Sequence, residues 1–72
     1  MEQPPRTELE VKDPFELAEI VCRYLAEYFE ESEIATIEQL DTQDALGMII
    51  GMLYEQGVVD PEALLVQVGI LK

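Results

Sequence analysis

Ala45-Leu46-Gly47-Met48-Ile49-Ile50-Gly51-Met52-Leu53-Tyr54 runs for ten residues without a charge or a side-chain amide, in a 72-residue chain that is otherwise strongly acidic. At about 100° per residue, Leu46, Ile49, Ile50 and Leu53 gather on one side of a helix. Met48 and Met52 fall on one flank, Gly47 and Gly51 on the other, and only Asp44 and Glu55 form a polar strip. A helix apolar almost all round is one that neighbours cover on several sides. Ten apolar residues also fall far short of the roughly 20 needed to cross a bilayer. The stretch therefore reads as the central helix of a small helical domain, near residues 42 to 56. Asp41 is placed to cap its start. Gly57 is placed to end it in a left-handed conformation, with Val58 folding back on Leu53.

Outward from this helix, the same punctuation recurs. Asp60-Pro61 is a cap followed by proline at the first helical position, with Val59 available to staple onto Leu64. A last helix over 61 to 68 is expected to stop at Gly69, with Ile70 returning to Leu65. On the other side, Thr36 and Gln39 stand at capping-box spacing and predict a short helix near 37 to 40 that buries Ile34, Ile37 and Leu40. Asp13-Pro14-Phe15-Glu16 opens a long first helix expected to reach about residue 31. Leu17, Val21, Tyr24 and Tyr28 form one stripe of it, and Ala18, Cys22, Leu25 and Phe29 a second. Its end then carries Glu27, Glu30, Glu31 and Glu33 at the negative pole of the helix dipole, where cations are preferred. Residues 1 to 12 contain Pro4-Pro5 and read as a flexible arm. Glu8 to Val11 could pair as a short strand, but no partner for it is evident. The expectation is all-α: a small compact bundle of three helices plus one short helix over residues 13 to 72, behind that arm.

A single domain of this size seldom gains more than roughly 3 to 5 kcal/mol from its core without some staple. Cys22 is the one cysteine and there is no histidine, so neither an internal disulfide nor a zinc site with its usual ligands is available. Association with another chain is the remaining device. The hydrophobic content of 49% supplies surface for it, and a homodimer is expected. Gly47 and Gly51, at small-xxx-small spacing, are the candidate helix-crossing or dimer contact.

The net charge of -12 and the pI near 4.1 bound the partners. The cations are Arg6, Lys12, Arg23 and Lys72, so the segment from Tyr24 to Leu71 has ten carboxylates and no cation. Phosphate backbones and anionic membranes would be repelled, whereas a basic protein surface would be attracted. Glu27, Glu30, Glu31 and Glu33, where the dipole rule is broken, are the candidate partner-binding residues. A competing reading is that the charge only keeps a small apolar protein in solution. With no apolar leader segment in the sequence, a cytoplasmic protein is the default.

Catalytic motifs are lacking. Cys22 has no histidine to activate it and is expected to be structural. Asp41-Thr42-Gln43-Asp44 starts like a calcium loop but lacks the later ligands and the glycine. No enzyme, cofactor or metal is expected. In size, acidity and helical make-up the chain is superficially similar to acyl carrier proteins, whose phosphopantetheine serine lies in Asp-Ser-Leu at the start of the second helix. The only serine here, Ser32, stands instead in Glu31-Ser32-Glu33, and membership is not assigned. The expected function is a small non-enzymatic interaction module that self-associates and presents an acidic face to a basic partner. The alternatives are a carrier modified at Ser32 and an acidic inhibitor that mimics nucleic acid.

Overall fold

The computed structural model describes residues 9–72, and the chain is all-α. Four helices follow one another: α1 Pro14–Tyr24, α2 Glu31–Gln39, α3 Thr42–Glu55 and α4 Pro61–Val68, with a single 3-10 turn, Ala26–Tyr28, between α1 and α2. α1 packs chiefly on α2, and α3 touches each of the other three.

Local hydrogen bonds start the helices where short-range chemistry provides them. The side-chain carboxylates of Asp13, Asp41 and Asp60 accept from the backbone N–H groups of Glu16, Asp44 and Ala63 at 2.8, 2.9 and 3.2 Å. Each satisfies one of the donors that a helix start leaves unpaired. α3 and α4 end on Gly57 and Gly69, whose φ values of 93° and 91° are left-handed. Val58 then donates to the Leu53 carbonyl at 3.0 Å and Ile70 to the Leu65 carbonyl at 2.9 Å, which turns both apolar residues back towards the bundle.

The first helix departs from expectation. It stops at Leu25 rather than near residue 31, and after the 3-10 turn the chain is extended at Phe29 and Glu30 before α2 begins. The expected short helix at 37–40 is thus the tail of a nine-residue helix. Thr36 does not cap it, because its hydroxyl donates to the Ser32 carbonyl at 2.9 Å inside α2. Packing and electrostatics both favour the break. It sinks Leu25 and Phe29 into the core, leaves Arg23 in the last turn of α1 and puts Glu31 and Glu33 in the first turn of α2, so each charge meets the helix pole that it stabilises.

Leu17, Ala18, Val21, Leu25, Phe29, Ile37, Ala45, Leu46, Ile49, Leu53, Leu65, Ile70 and Leu71 share one core with Val11. Tyr24 and Cys22, expected on the inner stripes of α1, are exposed. Val59 is 91% exposed and does not staple onto Leu64, and the buried Pro61 packs at that end of α4 instead. Residues 9 to 11, expected within the flexible arm, instead join the fold. Leu9 forms an antiparallel bridge with Leu71, Glu10 donates its N–H to the Ile70 carbonyl at 2.9 Å, and Val11 is buried. Residues 1–8 of the expected arm lie outside the described part.

Candidate functional site

Glu27 sits on the 3-10 turn, Glu30 just ahead of α2, and Glu31 and Glu33 in its first turn, all within the corner that joins α1 to α2. The first three are exposed and Glu33 is half-buried. Glu33 has a structural task, since its Oε1 accepts the Glu30 N–H at 2.7 Å. The corner is therefore not the violation that the sequence suggests. Glu30, Glu31 and Glu33, expected at a negative helix end, occupy a positive one that is favourable to the fold, whereas Glu27 lies on the 3-10 turn that follows α1. What they offer outward is a group of solvated negative charges on a chain segment that contains no cation to neutralise them.

Gly47 and Gly51 lie on the outward side of α3. Both are exposed, and a Cβ built on either meets no atom within 4 Å. Among the described residues no helix crosses there, so this side of α3 is open although α1, α2 and α4 all touch the helix. Its buried residues are Ala45, Leu46, Ile49 and Leu53, with Met48, Ile50 and Met52 half-buried at the margins. At 100° per residue, Asp44, Gly47, Gly51 and Glu55 align on the outer face, and all four are exposed. Tyr54 beside them is 60% exposed.

Among the described residues there is no pocket and no group of three or more acidic or cysteine side chains placed to hold a metal ion. Every buried residue among them is apolar. Ser32 is exposed at the second position of α2. No helix among the described residues is long and apolar enough to cross a membrane. No protein family matches this chain, and no curated protein or solved structure is significantly similar to it.

Sequence reasoning missed the pairing of Leu9 and Glu10 with Ile70 and Leu71. The signal was the alternation Leu9-Glu10-Val11, apolar on both sides of a charge, and its partner was the apolar pair at the far end of the chain.

Proposed function

We propose that this chain is a small, non-enzymatic protein-interaction module, an adaptor or subunit of the cytoplasm that associates with itself and presents an acidic face to a basic partner. The observation that carries the reading is the exposed corner Glu27, Glu30 and Glu31 on a segment with ten carboxylates and no cation from Tyr24 to Leu71. A basic surface docked there relieves repulsion as well as adding contacts, which speeds encounter and selects the partner by charge. Nucleic acid and anionic membranes are disfavoured by the same charge.

Capture from host lysate tests it, comparing the native chain with a variant in which Glu27, Glu30 and Glu31 are glutamine. Glutamine removes charge without placing cations at the positive end of α2, where they would weaken the fold. Basic proteins eluted by salt from the native chain and absent from the variant are expected, while equal capture by both would refute the assignment of the corner.

A carrier role is the second reading, favoured by one observation: Ser32 is exposed at the start of the second helix. Intact mass from the native host decides it, because a phosphopantetheine adduct on Ser32 would be visible and an unmodified mass would dismiss the reading.

A further inference from the structure

We draw no further inference here: the strongest candidate, the exposed apolar side chains Tyr54, Val59 and Val66 on α3, the turn that follows it and α4, is an unpartnered surface, and nothing in the structure shows what covers it.

Discussion

Glu33 and the glycines show how a single residue's effect depends on the backbone around it. Glu33 accepts the N–H of Glu30 at 2.7 Å, so Glu33→Ala should cost about 1 kcal/mol, the usual loss on removing such a cap, and urea melts of the pair would measure it. The dipole makes the double change Glu30→Lys plus Glu31→Lys destabilising, opposite in sign to what a first helix ending at residue 31 would give. A lowered melting temperature is therefore expected, and a raised one would return these carboxylates to a helix C-terminus. Among the glycines, Gly69 has a φ of 91° and Gly51 has open space about its Cβ position. Gly69→Ala should lose about 1 to 2 kcal/mol to left-handed strain. Gly51→Ala should gain about 1 kcal/mol from helix propensity and leave association intact. If Gly51→Ala lost both stability and the dimer, α3 would be the crossing point after all.

At the level of elements, the helix starts and stops at Asp13, Asp41, Asp60, Gly57 and Gly69 were legible because each is a hydrogen bond at a fixed short offset along the chain. The end of α1 was not. Val21, Leu25 and Phe29 are spaced four apart and continue the helical period through the break, so sequence periodicity could not show it. Tertiary packing decides where Phe29 turns, and the candidate site moved with that decision, from the end of one helix to the start of the next. The pairing of Leu9 and Glu10 with Ile70 and Leu71 was equally hidden, since a bridge between segments so far apart in sequence has no local signature. It is nonetheless part of the core. Leu71→Ala should cost about 2 to 5 kcal/mol, comparable with the roughly 3 to 5 kcal/mol that so small a core supplies. Circular dichroism of that variant should show substantial unfolding at ambient temperature, and a native spectrum with an unchanged melt would mean that the Leu9–Leu71 pairing is ornamental to the fold.

For the molecule as a whole, a net charge of -12 on 72 residues opposes compactness through self-repulsion. Sodium chloride raised from low to physiological concentration, where the Debye length falls to about 8 Å, should raise the melting temperature and strengthen self-association. A flat response would show that the carboxylates are too far apart to repel. The acidity itself was plain in the sequence, but where it concentrates in space was not, because that depends on the turn at Leu25. Whether the corner or only the bulk charge recognises a partner is open to direct measurement: titration of the full chain with an oligolysine peptide at physiological salt, followed by calorimetry. The native chain is compared with Glu27→Gln plus Glu30→Gln plus Glu31→Gln, and with a control of equal charge, Glu16→Gln plus Glu19→Gln plus Glu55→Gln. An interaction site at the corner predicts that the first variant loses at least about tenfold in affinity, about 1.4 kcal/mol, while the control binds nearly as the native chain does. Equal losses in the two variants would contradict it and leave the acidity as bulk charge alone.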